Sequence, residues 1–278
     1  NNEEEGFGTT TTWTPAALDE LISVVEEGNK DELEKEIQDG LAKMPANKAK
    51  GLDGIPSTVY KNSKVCNKLL VDLLQKIWET EEVPEDFAKA SFVMIYKNKG
   101  SSNNPAKYRC IGLLNHIYKI LSQCLLARIT AETQGFLADW QAGFRAERGC
   151  RDNIFILRAL IDDAIEKGKE ICLTFIDYKA AFDSVSHKYI DRALKKAGAS
   201  IKTRRLFRAI YAAASAVARV SSIDGTHVYS DPFPIRRGVV QGDITSPIYF
   251  ILTLELILRD HDKSQEKGVQ FGNRRVHT

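Results

Sequence analysis

Residues 171–176 read ICLTFI, a nearly continuous apolar run set between Gly168-Lys169-Glu170 and Asp177-Tyr178-Lys179. The run is too short for an ordinary helix, and its β-branched and aromatic content suits a strand covered on both faces. A strand of that kind needs neighbours on either side, so a fold built round a sheet is expected. It also delivers Asp177 at its end, where a rigid element holds a carboxylate well for metal binding. Mg²⁺ takes one or two carboxylates plus substrate phosphates, so this is half a plausible site. The competing reading makes Asp177 the cap of a turn.

Helical and strand patterns alternate along the rest of the chain. Thr14-Pro15 opens a helix to about Glu27, because proline suits the first helical position. A second helix is expected from Asp31 to about Lys43, with Leu33, Ile37 and Leu41 on one face. Lys50–Pro56 is a breaker-rich loop, and a long helix follows over Asn67–Glu79. Ala90–Lys97 reads as a strand and Asn98–Asn104 as a polar loop. Helices are expected at 116–130, 153–167, 186–196 and 203–213. A hairpin, Ala216–Ser221 with Thr226–Tyr229, turns at Asp224-Gly225, a favoured pair. Ser246-Pro247 starts a helix to about Asp260, and Gly268–Phe271 with Arg274–Thr278 reads as half of another strand pair. Helices mixed with hairpin-paired strands predict an α+β class.

Charge is distributed unevenly. Residues 1–42 hold twelve Asp/Glu against two Lys, a net of −10, and the remainder holds 37 Lys/Arg against 25 Asp/Glu, a net of +12. A basic body suits a polyanionic partner, since neutralising phosphates releases counterions. A solvated basic surface is the alternative. The acidic helices are expected to sit away from any nucleic acid. Cys66, Cys110, Cys124, Cys150 and Cys172 form no CxxC pair, which argues against zinc and for free thiols. No apolar run approaches the roughly 18 residues needed to cross a membrane, and an intracellular setting is expected.

A second informative stretch is Arg236–Pro247, RRGVVQGDITSP. Gly238 and Gly242 allow close backbone approach, and Gln241 carries both donor and acceptor groups. Such a loop suits a base pair or template strand passing nearby. It equally serves as a connector from hairpin to helix.

Taken together, these segments resemble the reverse transcriptases, most closely those of non-long-terminal-repeat retrotransposons and more distantly those of group II introns. Lys48–Pro56 (KAKGLDGIP) is similar to the family's KAPGPDGIP, with Lys50 and Leu52 in place of prolines. Phe92–Lys97 with Tyr108-Arg109-Cys110-Ile111 resembles the first fingers block, with Cys110 for proline. Gln141–Cys150 resembles the QxGFR block. Phe175–Asp183 is similar to palm motif A, with Ala180 and Ala181 in its lysine-alanine region, and Gly238–Pro247 looks like motif B. The resemblance covers about residues 44–278.

That resemblance implies an RNA-directed DNA polymerase of right-hand architecture: an acidic helical extension over 1–43, fingers over 44–170, and a partial palm with an antiparallel sheet over 171–278, the thumb being absent. It implies two Mg²⁺ (or Mn²⁺) ions held by Asp177 and the carbonyl of Tyr178. It makes Phe182 the steric gate under the sugar, with Lys97 and Arg109 on the triphosphate. Gln241 and Gly242 would border the nucleotide and the templating base, and Arg145 and Arg148 the template backbone. The implied partners are an RNA template, a DNA primer and dNTP, with the nucleus as the place of action. The family's aspartate-pair hairpin is expected shortly after motif B. The only Asp-Asp pair is Asp162-Asp163, far upstream, so the fragment is expected to be inactive alone. The alternative function is a non-catalytic RNA-binding scaffold of the same ancestry.

The charge asymmetry makes a first prediction. The chain should bind RNA or an RNA–DNA duplex with an affinity that falls steeply as salt rises, measured as log K against log salt by fluorescence anisotropy. A slope near zero would remove the basic-surface argument.

Overall fold

The computed structural model describes residues 30–46, 48–221, 224–261, 269–271 and 274–276. The helix expected over Thr14–Glu27 lies outside them. The first described helix, α1 (Lys30–Lys43), buries Leu33, Ile37, Gly40 and Leu41, the stripe that the i, i+4 spacing predicts. After the Lys48–Pro56 loop come a short α2 (Ser57–Asn62) and a long α3 (Lys64–Thr80), which buries Leu70, Val71, Leu74, Ile77 and Trp78. Ser63 caps α3 by accepting from the Cys66 N–H at 3.3 Å.

Strands β1 (Lys89–Tyr96) and β2 (Tyr108–Leu113) form an antiparallel pair, and α4 (His116–Thr133) follows directly. Nine residues of α4 are buried, among them Tyr118, Ile120, Leu121, Leu125 and Ile129. No residue from His116 to Leu126 is exposed, so the first half of the helix is central to the core, while Ala127, Thr130 and Ala131 form an exposed stripe on the second half. Arg128 fixes α4 to its neighbours. Its guanidinium donates to Glu36 Oε2 at 3.2 Å from Nε and Nη2, and it stacks 4.6 Å from the Trp78 ring.

Next come α5 (Cys150–Glu166), a single-turn α6 (Ala181–Ser184), α7 (His187–Lys196) and α8 (Ile201–Ala213). Strands β3 (Ser215–Ser221), β4 (His227–Tyr229) and β5 (Phe233–Pro234) lead to α9 (Ser246–His261). The closing strands β6 (Val269–Phe271) and β7 (Arg274–Val276) form a separate two-stranded sheet among the described residues. Helices α7 to α9 join the same apolar core as α1, α3 and α4, with Phe207, Tyr211 and Tyr249 stacked at ring centroid distances of 4.9–6.0 Å.

The sheet runs β2-β1-β3-β4, with β5 also on β3. Strands β1 and β3 are parallel and the other pairs antiparallel. The α+β class is therefore observed, but the sheet is mixed rather than antiparallel. It also draws strands from both 44–170 and 171–278.

One expectation is corrected. Ile171–Ile176 is not a strand; it has no regular secondary structure and no ladder partner among the described residues, with Phe175 82% and Ile176 69% exposed. A strand needs ladder partners for its N–H and C=O groups as well as apolar side chains. Among the described residues no strand lies alongside this segment.

Two truncations separate the buried and exposed readings. Ile120→Ala, at a fully buried position, should cost about 2–5 kcal/mol in chemical denaturation. Phe175→Ser should change stability by no more than about 0.5 kcal/mol in the same assay, as exposed positions do. A loss of several kcal/mol at Phe175 would restore the buried strand.

Candidate nucleotide site

The Arg236–Pro247 loop passes between two other segments and is bonded to both. On one side lies the turn of α6. The Gly238 N–H donates to Val185 O at 2.8 Å, the Val239 N–H to Phe182 O at 2.8 Å, and Arg237 Nε to Ser184 O at 2.6 Å. Gly238 sits at φ +82°, and a Cβ there would meet Asp183 and Phe182 backbone atoms at 2.9 Å. Only glycine fits this approach. His187 secures the crossing, with Nε2 donating to Gly238 O at 2.8 Å. Burial pushes the His187 pKa down, against the pull of the Gly238 carbonyl, and that acceptor requires a proton on Nε2.

On the other side the loop meets the end of β2. The Gly112 N–H donates to Gln241 O at 2.6 Å. Gly242 is at φ +119°, and a Cβ there would lie 2.4 Å from Gly112 O. Pairing register places Cys110 and Gly112 of β2 on the same sheet face as Phe92 and Met94 of β1. Cys110 shows where that face looks: burial raises its thiol pKa, and the nearby Asp183 carboxylate adds to the rise. A shallow cleft of about 190 Å³ opens here, lined by Phe92, Asp183, Phe233, Arg236, Arg237 and Val240, among others.

Phe182 stands where three sequence blocks meet. Its half-buried ring is 6.0 Å from Phe144 of the Gln141–Cys150 block and 5.3 Å from Phe250 of α9. Its carbonyl is the one that accepts from Val239. The structure thus gathers Phe182, Gln241 and Gly242. The side-chain amide of Gln241 makes no hydrogen bond among the described residues.

The other sequence-predicted residues are placed differently. Arg109 is exposed and, being one position from Cys110, lies on the opposite face of β2 from Cys110 and Gly112. Lys97 is exposed at the end of β1, with Nζ donating to Ala106 O at 3.3 Å. Arg145 donates to the carbonyls of Ala138 (2.8 Å) and Gln141 (3.3 Å), so it braces its own loop. Arg148 does the same through Asp139, bonding its carbonyl at 2.9 Å and its carboxylate at 3.3 Å. Asp177 and Tyr178 are exposed in the unpaired segment. Among the described residues no group of three His, Cys, Asp or Glu side chains gathers to hold a metal ion. A single exposed carboxylate with one carbonyl falls short of the oxygen ligands Mg²⁺ requires. The described donor set does not by itself fit the ion pair.

Sequence reading missed Asp243. It is buried beneath the loop and accepts from Tyr118 Oη at 3.0 Å, Thr245 Oγ1 at 2.7 Å and the Thr245 N–H at 3.3 Å. Burial raises its pKa, and the Thr245 and Tyr118 bonds pull against that rise. Tyr118 is also pushed well above the usual phenol range, by burial first and then by the Asp243 charge. The one acidic residue of the loop, set between Gly242 and the Ser246-Pro247 helix start, was the available signal.

Residues 95–272, more than half of the chain, match the family described as reverse transcriptase (RNA-dependent DNA polymerase), and the chain belongs to that family. Its relatives are retrotransposon proteins. It is 27% identical over 215 residues to the Retrovirus-related Pol polyprotein from type-1 retrotransposable element R2 of Nasonia vitripennis, covering 76% of this chain and 20% of that protein. It is 26% identical to the Transposon TX1 uncharacterized 149 kDa protein of Xenopus laevis, with coverage of 88% and 19%. It is 24% identical to the RNA-directed DNA polymerase from mobile element jockey of Drosophila melanogaster, with coverage of 78% and 23%. The chain spans about a fifth of the length of these relatives. No helix among the described residues is long and apolar enough to cross a membrane.

The crossing at Gly238 can be tested directly. Gly238→Ala puts a methyl group against backbone at a positive φ, so destabilisation of at least about 1 kcal/mol is expected. Thermal denaturation of Gly238→Ala beside Gly54→Ala controls for positive φ alone, because a Cβ at Gly54 meets nothing within 4 Å. Equal losses at the two sites would mean that the close contact is unimportant.

Proposed function

We propose that this chain is the nucleotide-receiving part of an enzyme that copies RNA into DNA. The observation that carries the reading is the union at Phe182 of the α6 turn, the Gly238–Asp243 loop and the Gln141–Cys150 block. A ring held by two aromatic neighbours, on a turn bonded to the loop that carries an unengaged glutamine amide, suits the sugar and base edge of an incoming nucleotide. In this reading the Phe182 ring occupies the space a 2′-hydroxyl needs, and Gln241 with Gly242 borders the base pair. Arg109 as a planar fork and Lys97 as a point charge would bind the triphosphate. Arg145 and Arg148 would serve the template backbone through the loop they brace.

An RNA template, a DNA primer and dNTP are the substrates this reading requires, and the nucleus is where it would act. A pair of Mg²⁺ or Mn²⁺ ions remains part of the proposal. Asp177 would be the carboxylate these described residues contribute and Tyr178 the carbonyl ligand. Further ligands from outside the described residues would be needed to complete the set, and the ions would then supply positive charge to the reacting phosphate.

The test uses the full-length protein that carries this chain. Phe182→Ala should raise ribonucleotide incorporation at least about tenfold relative to deoxynucleotide, an arithmetic difference of 1.4 kcal/mol in selectivity. Asp177→Asn should abolish synthesis with either sugar and leave the melting temperature unchanged, since the residue is exposed. If Phe182 is only a core aromatic, its truncation costs about 3–5 kcal/mol of stability and leaves sugar selectivity alone. That outcome would falsify the gate.

A further inference from the structure

The Gln241–Asp243 turn and the stretch from Gly112 to Tyr118 are joined at two points, not one. At the first, the Gly112 N–H donates to Gln241 O at 2.6 Å. At the second, Tyr118 Oη donates to Asp243 Oδ2 at 3.0 Å, across 125 residues of sequence. Between these two points β2 runs directly into α4, and the first turn of α4 is itself fixed. Asn115 Oδ1 accepts from the Asp53 N–H at 3.4 Å, and His116 Nδ1 bonds Ile55 O at 2.9 Å. One tie would leave the loop free to pivot about it. Two ties about six residues apart on a rigid strand–helix corner remove that freedom.

The chemistry of Asp243 points the same way. It precedes α9, and capping that helix would need only one acceptor for the Thr245 N–H. Serine or asparagine would supply it without burying a carboxyl group, which costs free energy. What a carboxylate adds is a second oxygen that takes two hydroxyl donors together, Tyr118 at 3.0 Å and Thr245 at 2.7 Å. Both donors are themselves buried, so neither bond competes with water.

We propose that Asp243 and Tyr118 form a positioning pair that holds the Gln241–Gly242 turn against β2 and so sets nucleotide affinity. Neither side chain touches the nucleotide. Both act by fixing the two residues that border it, and in that respect the inference rests on the function proposed above.

The experiment has two arms on the same variants. In the first, amide hydrogen exchange is followed at Gly112 in this chain. Tyr118→Phe deletes one hydroxyl and keeps the ring in the core, so exchange at Gly112 should quicken about tenfold while amides of α3 and α8 stay at wild-type rates. Asp243→Asn leaves one oxygen where two are in use, so exchange at Gly112 should quicken, by less than in Asp243→Val. Asp243→Val removes every acceptor and should resemble or exceed Tyr118→Phe.

In the second arm, the full-length protein extends a primer, and Tyr118→Phe should raise KM for dNTP several-fold with kcat within about twofold, the mark of lost uniform binding. Faster exchange that is uniform across the chain and parallels a fall in Tm would reduce the pair to a stability element and overturn the proposal. Unchanged exchange at Gly112, or unchanged KM in an active enzyme, would also overturn it. A wild-type enzyme that makes no DNA would instead sink the proposed function, and the exchange arm alone would then decide whether the pair clamps the turn.

Discussion

The contact on which the site depends is between two backbones. Gly112 and the Gln241–Gly242 turn approach until a carbonyl oxygen would lie 2.4 Å from any Cβ at position 242. Side chains are excluded from this approach, so the turn is seated by main-chain hydrogen bonds and by glycine conformations other residues rarely adopt. The same device recurs on the other side, where Gly238 crosses Phe182 and Asp183. Held from both sides, the loop keeps the backbone of Gln241 in fixed relation to β2 and that of Val239 in fixed relation to Phe182. A loop seated by side-chain packing alone would not hold them so closely.

Helix α4 makes that arrangement possible. Its first turn receives the Lys48–Pro56 loop through Asn115 and His116, and the motif-B loop through Tyr118. Lys119 follows on the same turn. Burial lowers its pKa, and it lies close enough to feel both the Asp243 carboxylate, which raises it, and Lys48, which lowers it. Segments nearly 200 residues apart in sequence therefore share one helix end. Because the first half of α4 has no exposed residue, its position is set by the surrounding core, and that position passes to the site through few bonds.

Much of this was legible beforehand. The 3.6-residue spacing of Leu33, Ile37 and Leu41, the Ser246-Pro247 helix start and the Asp224-Gly225 turn each specify a local structure that needs no distant partner. The glycines of the Arg236–Pro247 loop signalled close approach, and the structure supplies the partners, Gly112 and the α6 turn. The run Ile171–Ile176 shows where such reading fails. Apolar content marks a segment that would gain from burial, yet strand formation also needs a neighbouring backbone, which composition cannot report. Arg145 and Arg148 show a different kind of limit. The resemblance implied a place beside the template backbone, and only the fold reveals that their guanidinium groups also brace the carbonyls and carboxylate of their own loop.

By itself the sequence determined the α+β class, the order of the motif blocks and the family to which the chain belongs, because these rest on local periodicity and on residue types at short spacing. Tertiary structure alone decided which blocks meet. It placed Phe182 between Phe144 and Phe250, set Arg109 on the face of β2 opposite to Gly112, and drew Tyr118 to Asp243. Those choices depend on strand register, on the parallel pairing of β1 with β3 and on the packing of α4. Each is set by contacts between residues far apart in the chain, and no short window of sequence contains both partners.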